Sequence, residues 1–423
     1  MKKIGIALLG LGVVGSGTYR ILESKKESIK RDYGVEIEVR HVLEKDLSKA
    51  QALGISLDKV SCDINNVVND PEIEIVAEFF GGIEPARTFL IAALKAGKSV
   101  VTSNKELFSK HWPELEAAAA QTGAGIYFEA SCGGGVPIIR AMHDSLQGND
   151  ILEIKGIVNG TTNYILSNMS EKGSDYGDTL KEAQRLGYAE ANPSADVDGF
   201  DSTYKLSILS SLAFRKRIPY TAIYREGISK VSKEDIKYGK EFGLTVKLLA
   251  ISKNVNGRIE AHVYPAFIPD DHPLAKVSGA FNGIYVVGDN VGELMFYGKG
   301  AGDLPTGSAI VSDIVTAATR TPHRRYPFIL EAEANDFNND FSSEYFIRLI
   351  VKDETGVLSR ITGIFGAAGI GIDSMVQKEG ANGNATIVLV TQKTSETIFK
   401  SALSDLEKDL CVKEIANVIR VEK

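Results

Sequence analysis

Cysteine is scarce in this sequence: Cys62, Cys132 and Cys411 are the only three in 423 residues. An odd number so widely spaced makes neither a disulfide framework nor the paired spacing of a thiolate metal site. Lys and Arg are nowhere gathered into a dense run, and the formal net charge is −7. That balance argues against nucleic acid or an anionic membrane surface as the main partner. No apolar stretch approaches the ~20 residues that a bilayer-spanning helix needs. The opening MKKIGIALLGLGVVG has the basic pair and apolar run of a secretion signal. Gly10, Gly12 and Gly15 break that run, and no small-residue cleavage pattern follows. A reducing, cytoplasmic location is the expectation.

Glycine, by contrast, is plentiful: 41 residues, many in short clusters that read as tight turns rather than linkers. An apolar fraction of 43% and a charged fraction of 24% are ordinary for a soluble globular protein. The length implies two or three domains.

The continuous apolar run Lys3–Leu9 reads as a parallel strand buried on both faces. A glycine turn and a helix over Ser16–Lys30 follow. Strands are expected at Glu36–Leu43, Ile73–Phe79, Ser99–Thr102 and Gly125–Ala130, with a helix at Pro85–Ala96. This alternation predicts an α/β, doubly wound parallel sheet. Gly10-Leu11-Gly12-Val13-Val14-Gly15 between strand and helix fits the dinucleotide fingerprint of a Rossmann domain. Gly10 allows the turn, Gly12 the approach of a pyrophosphate, and Gly15 close helix–strand packing. An acidic residue ending the second strand suits NAD, whereas Arg suits a 2′-phosphate. Arg40 leans the reading toward NADP, and Glu44 pulls against it.

Beyond residue 140 the pattern becomes α+β, with strands at Glu153–Val158, His262–Ile268, Gly283–Val287 and Leu294–Tyr297 between long helical stretches. A helix over Ser308–Ala318 is expected to return to the first domain. From Tyr345 onward the order is strand, helix, strand, strand, helix, strand, a ferredoxin-like module.

Three segments carry the polar residues that chemistry requires. Thr102-Ser103-Asn104-Lys105-Glu106 follows a buried strand, placing Lys105 at the carboxyl end of the sheet, where such folds bind ligands. Asn159-Gly160-Thr161-Thr162-Asn163-Tyr164 runs from a strand into a helix expected to be capped by hydroxyls. The third runs from Gly187 through Glu190, Asp196 and Asp198 to Asp201 and Lys205. If a helix starts near Gly199, Asp201 and Lys205 are i and i+4 on one face. An ordinary surface ion pair is the bland alternative. The density of acidic residues around Pro193 and Gly199, beside an apolar helix, weighs against it.

These motifs, with Gly298-Lys-Gly-Ala-Gly302, occur in the order and spacing of homoserine dehydrogenases, and the chain resembles that family over roughly residues 1–320. The resemblance implies reversible, NAD(P)-dependent oxidation of L-homoserine to L-aspartate 4-semialdehyde, in threonine, methionine and isoleucine biosynthesis. It implies Lys205 as the acid–base residue and Lys105 as a second lysine of the pocket. Glu190 and Asp201, with Asp196 behind them, hold the substrate's ammonium, and Ser103, Lys105, Gly187 and Gly302 join the glycine turn around the cofactor. A free lysine, at about 10.4, is a weak acid–base group at neutral pH. A second ammonium and burial lower that value and carboxylates raise it, so the balance stays open. The family also implies a sodium ion held by Glu129 and by main-chain oxygens of Cys132, Gly134 and Val136, a donor set suited to a hard cation. A simple glycine-rich turn is the alternative.

The segment Val351–Ile361 resembles the ligand loop of ACT domains, with Asp353, Gly356, Val357 and Leu358 as effector residues. Threonine is the effector that the family implies, and a homodimer or homotetramer the assembly; a module that merely dimerises is the alternative. The expected division is 1–138 Rossmann domain completed by a helix near 305–320, 139–320 catalytic and dimerisation domain, 321–342 linker and 343–423 ACT domain. The length leaves no room for a further kinase segment. Two rivals remain. An aspartate-semialdehyde dehydrogenase would use Cys132 as nucleophile with a base such as His143. A non-catalytic regulator would not need both lysines and the carboxylates.

Overall fold

The computed structural model describes residues 2–327, 329–380 and 383–423. Its contacts divide the chain into two units, one of Met1–Ile154, Asp201–Ile223 and Phe281–Ala332, the other of Lys155–Phe200, Tyr224–Ala280 and Glu333–Lys423.

In the first unit, β1 (Lys2–Leu9) is buried without a break from Ile4 to Leu9, as its unalternating apolar run requires. It leads through the glycine turn into α1 (Val13–Tyr33) and then β2 (Val35–Leu43). β3 (Val60–Ser61), β4 (Ile73–Glu78), α2 (Ala86–Lys95), β5 (Ser99–Thr102), α3 (Lys105–Thr122) and β6 (Ile126–Tyr127) follow. The strands are parallel in the order β3-β2-β1-β4-β5-β6, the doubly wound Rossmann arrangement. Helix α2 packs on β4 and β5, and α3 packs on α2. The helix Asp303–Thr319 packs along α1 and lays Ile310, Ile314 and Ala317 into the core formed by Ile4, Ile6 and Val39. The Gly125–Ala130 strand is shorter than expected. It stops at Tyr127, and Glu129–Ser131 turn as a 3-10 helix whose Glu129 N–H donates to Asp313 at 2.8 Å.

Residues 321–327, part of the expected linker, are tied down. Arg324 and Tyr326 are buried, the Tyr326 ring lying among Trp112, Phe128 and His143. Arg324 also pairs with Asp144 at 2.6 Å. The aromatic burial outweighs the turn signal of the prolines.

The second unit contains a sheet ordered Leu244–Val255, Arg258–Pro269, Val412–Val421, Ser342–Lys352, Asn384–Thr391, Ile372–Glu379. Leu244–Val255 went unread among the long helical stretches. It pairs antiparallel with Arg258–Pro269 across Asn256-Gly257, both with positive φ. The last four strands of that order, with helices Val357–Ala367 and Glu396–Lys408, form the ferredoxin-like ACT module around Ile347, Leu349, Phe365 and Phe399. Helix Gly160–Lys172 is capped by the Asn159 side chain accepting from the Thr162 N–H, not by a hydroxyl.

Candidate active site

The nucleotide-binding turn is set by backbone geometry. Gly10 has φ +101°, and a Cβ on Gly15 would stand 2.2 Å from the Gly10 carbonyl oxygen, so helix and strand meet only through glycine there. Around Gly12 a Cβ would meet nothing, which leaves the open side of the turn to a ligand. Leu11 is buried, and its N–H donates to Glu44 at 2.8 Å. Glu44 also accepts from the N–H groups of Lys45 and Asp46 and from Lys49. Burial alone would raise its pKa; the Asp46 and Leu11 amides and the Lys49 ammonium outweigh burial and hold it below the usual carboxylate value.

Arg40 is not at this turn. Its side chain runs beside Gly5, and its guanidinium lies among Glu38, Asp70 and Glu72. Gly10 lies five residue steps beyond Gly5, about 16 Å at ~3.3 Å per residue. Glu44, which follows β2, is the residue that reaches the turn.

At the carboxyl end of β5, Asn104 caps α3 by accepting from the Leu107 N–H at 3.0 Å, so Lys105 is the first residue of the helix. Its Nζ lies 3.0 Å from one oxygen of Asp201. Helix Phe200–Phe214 presents Asp201 and Lys205 on one face, and Lys205 Nζ donates to the other Asp201 oxygen at 2.6 Å. The side chains of Asp201 and Lys205 are 8% and 10% exposed, that of Lys105 41%. One buried carboxylate therefore holds two ammonium groups, the inner one anchored and the outer one accessible to solvent.

Cys132 lies behind this helix, its thiol donating to the Lys205 carbonyl at 3.7 Å. Burial pushes that thiol up to about 12, so it is no nucleophile at neutral pH. Glu129 is buried and accepts from the N–H groups of Ile139 and Arg140 at 2.8 and 2.7 Å, leaving a lone pair on each oxygen. Burial, with the neighbouring Asp313 carboxylate, pushes it up to about 7. Gly134 has a close packing partner: its Cβ would stand 2.4 Å from the Gly300 carbonyl oxygen. Val136 N–H donates to the Gly133 carbonyl. Among the described residues no cluster of three His, Cys, Asp or Glu side chains suits a metal ion. Any cation here depends on Glu129 and main-chain oxygens. Gly302 caps helix Asp303–Thr319 with φ +124°, and Ser103 lies between β5 and α3.

In the second unit, Asp196 accepts from the Asn159 side chain at 2.7 Å, a partner that sequence reading missed although Asn159 stands where a helix cap is expected. Thr161 donates to the Tyr188 carbonyl and Tyr164 stacks on Tyr188, which fastens the Gly187–Glu190 turn to helix Gly160–Lys172. Gly187 has φ +79°, and Glu190 is exposed. In the ACT module the Asp353–Gly356 loop is exposed, Gly356 has φ +90°, and a Cβ on it would meet nothing. Val357 is buried and Leu358 packs against the module's core.

A parallel sheet with a glycine phosphate turn, and a lysine–carboxylate–lysine set on the helices of the same unit, define a nicotinamide-dependent oxidoreductase with an appended ACT domain. Three family models match: "Homoserine dehydrogenase, NAD binding domain" over residues 10–129, "Homoserine dehydrogenase" over 137–315, and "ACT domain" over 345–411. The homoserine dehydrogenase of Bacillus subtilis (strain 168) is 39% identical over 428 residues, covering 100% of this chain and 99% of that protein. The crystal structure of a homoserine dehydrogenase from Thiobacillus denitrificans superposes with a TM-score of 0.92 at 41% identity, covering 100% of this chain and 99% of that one. A hyperthermophilic archaeal homoserine dehydrogenase in complex with NADPH matches at 28% identity and a TM-score of 0.64, over 76% of this chain and 100% of that one. The chain belongs to the homoserine dehydrogenase family.

Proposed function

We propose that the protein interconverts L-homoserine and L-aspartate 4-semialdehyde, with Lys205 moving the proton at the substrate's hydroxyl or aldehyde oxygen. A bound nicotinamide supplies the hydride acceptor or donor. In the oxidative direction the alcohol loses a hydride from carbon and a proton from oxygen, and Lys205 Nζ takes that proton when it stands as the neutral amine, becoming the ammonium that returns it in the reverse direction. Asp201 fixes Lys205 by a 2.6 Å hydrogen bond and draws Lys105 to the same spot. Lys105 lends positive charge where the oxygen gathers electron density on losing its proton. Glu190 and Asp201, with Asp196, bind the substrate's ammonium.

The shared Asp201 carboxylate is the observation that carries this reading. Nicotinamide absorbance, followed with homoserine and each of NAD and NADP, tests it. Absence of reduction with both cofactors, and of oxidation with the semialdehyde, overturns it. For the cofactor we propose Gly10–Gly15, Ser103, Lys105, Gly187 and Gly302 as the binding set, with acceptance of both nicotinamides. Glu44 suits a ribose diol, while Lys45 and Lys49 beside it offer cations to a 2′-phosphate.

A sodium ion on Glu129 and the main-chain oxygens of Cys132, Gly134 and Val136 is proposed on the chemistry of that donor set. Threonine binding at Asp353–Leu358, with self-association of the ACT modules, is proposed on two features: the open Gly356 loop, and Ile372–Glu379 as the outer strand of its sheet. Thermal-shift and activity series with threonine, methionine and isoleucine test it; no response to any of them leaves a module that only dimerises.

A further inference from the structure

Glu78 ends β4 with no exposed surface, and the chemistry above makes no use of it. It lies opposite Leu9 of β1 on one side and Thr102 of β5 on the other. Its carboxylate accepts from the Phe80 N–H at 2.5 Å and from the Thr102 hydroxyl at 2.6 Å. Thr102 Oγ1 in turn accepts from the Asn104 N–H at 2.9 Å. The Asn104 side chain donates to the carbonyls of Phe80 and Gly82 and caps α3 in front of Lys105.

We propose that Glu78 is a positioning residue for Lys105, acting through Thr102 and Asn104. An ionised carboxylate only accepts, so it forces the Thr102 proton toward itself and leaves a Thr102 lone pair for the Asn104 N–H. That choice of direction runs down the chain of hydrogen bonds to the head of α3. A strand end can be filled more cheaply by an apolar side chain, because burying a carboxylate is costly. The cost is visible: burial pushes Glu78 up to about 7, while Thr102, Phe80 and Asn104 pull it back. Those three groups, from β4's continuation, β5 and the head of α3, face the carboxylate, and none of them titrates. A proton on Glu78 turns one oxygen into a donor, and the Thr102 hydroxyl then has to reorient. The inference rests on the reading of Lys105 as a member of the active site.

The test uses Glu78→Gln, Thr102→Val and Thr102→Ser in the full chain. Glu78→Gln and Thr102→Val are expected to lower kcat with homoserine roughly tenfold to a hundredfold, the scale of a small misplacement. The KM for homoserine should change little. Thr102→Ser, which keeps the hydroxyl, should restore most of kcat. The component of the wild-type kcat profile that falls away near pH 7 should be missing in Glu78→Gln. Competitive acylation read by mass spectrometry should show altered reactivity of Lys105 relative to the exposed Lys95 in both impaired variants. Wild-type kcat in both variants, or a loss of kcat with Lys105 reactivity unchanged, overturns the proposal. Normal turnover by Lys105→Ala would instead overturn the catalytic reading of Lys105, while the acylation comparison still decides whether Glu78 positions it.

Discussion

Two charged clusters in this protein use similar groups to opposite ends. In the first, Asp201 holds Lys205 and Lys105, and the Lys105 side chain is left 41% exposed. In the second, Arg420 has a side chain only 7% exposed, and it meets Glu396 at 2.8 Å and Glu226 at 3.0 Å. The rings of Tyr224, Tyr264 and Phe341 surround it. Glu422 beside it accepts from Tyr264 and Lys253. The first cluster keeps one of its cations, Lys105, within reach of solvent. The second closes around its cation and ties the last strand of the ACT module, Val412–Val421, to Arg258–Pro269.

The comparison breaks most sharply at Lys205. Lys205→Ala is expected to lower kcat roughly a thousandfold or more while nicotinamide still binds and the unfolding midpoint is kept. A variant that turns over normally, or simply unfolds, removes the contrast. Arg420→Met should do the reverse. It leaves the buried Glu396 with only the Tyr345 hydroxyl and the exposed Lys400 ammonium, and should cost about 3 kcal/mol in denaturant unfolding, with kcat nearly unchanged well below the midpoint.

Acid should separate the clusters further. Burial works to raise Glu396 and Glu422, but Arg420 overcomes it at Glu396 and Lys253 at Glu422, so both lie below the ordinary carboxylate value. The folded state then binds these protons less readily than the unfolded chain. Their stabilisation is complete above about pH 4.5 and is lost as pH falls through the folded values. Unfolding measured between pH 7 and pH 3 should show that loss in the wild type and a shallower one in Arg420→Met. The smallest effect belongs to a charge in neither cluster. Arg40→Gln should shift the NAD-to-NADP ratio of kcat/KM by less than about 0.5 kcal/mol, as befits a partly exposed ion pair away from the glycine turn; a large shift would return Arg40 to the cofactor.

The first cluster was legible in the sequence because its main pair is local. Asp201 and Lys205 are one helical turn apart, and Lys105 follows a strand whose burial shows in Ser99–Thr102. The second was not, because Arg420 meets Glu226 and Tyr224 across nearly the whole second half of the chain, and no periodicity encodes that. The parallel sheet and the βαββαβ module were readable from period and order, and the structure shows both. Leu244–Val255 was missed although Val255-Asn256-Gly257-Arg258 is a strong hairpin signal, since Lys and Thr within it obscured the strand pattern. At the start of the expected linker, Pro322 and Pro327 were weighed above Tyr326, whose ring enters an aromatic cluster drawn from distant segments. Arg40 was assigned from its strand alone, and the glutamates and aspartate that hold it away were invisible until the strands were placed side by side.

The interlocked glycines also bear on how this chain can change over generations. Gly134 leaves no room for a Cβ against Gly300, and Gly300 leaves none against Asn282. Neither position can drift alone, since a side chain at Gly134 pushes the Cys132–Val136 turn off the loop that precedes helix Asp303–Thr319, and one at Gly300 runs into the Asn282 side chain. In a saturation library screened for homoserine-dependent reduction of nicotinamide, both positions should return as glycine, while Gly148, where a Cβ meets nothing, tolerates replacement.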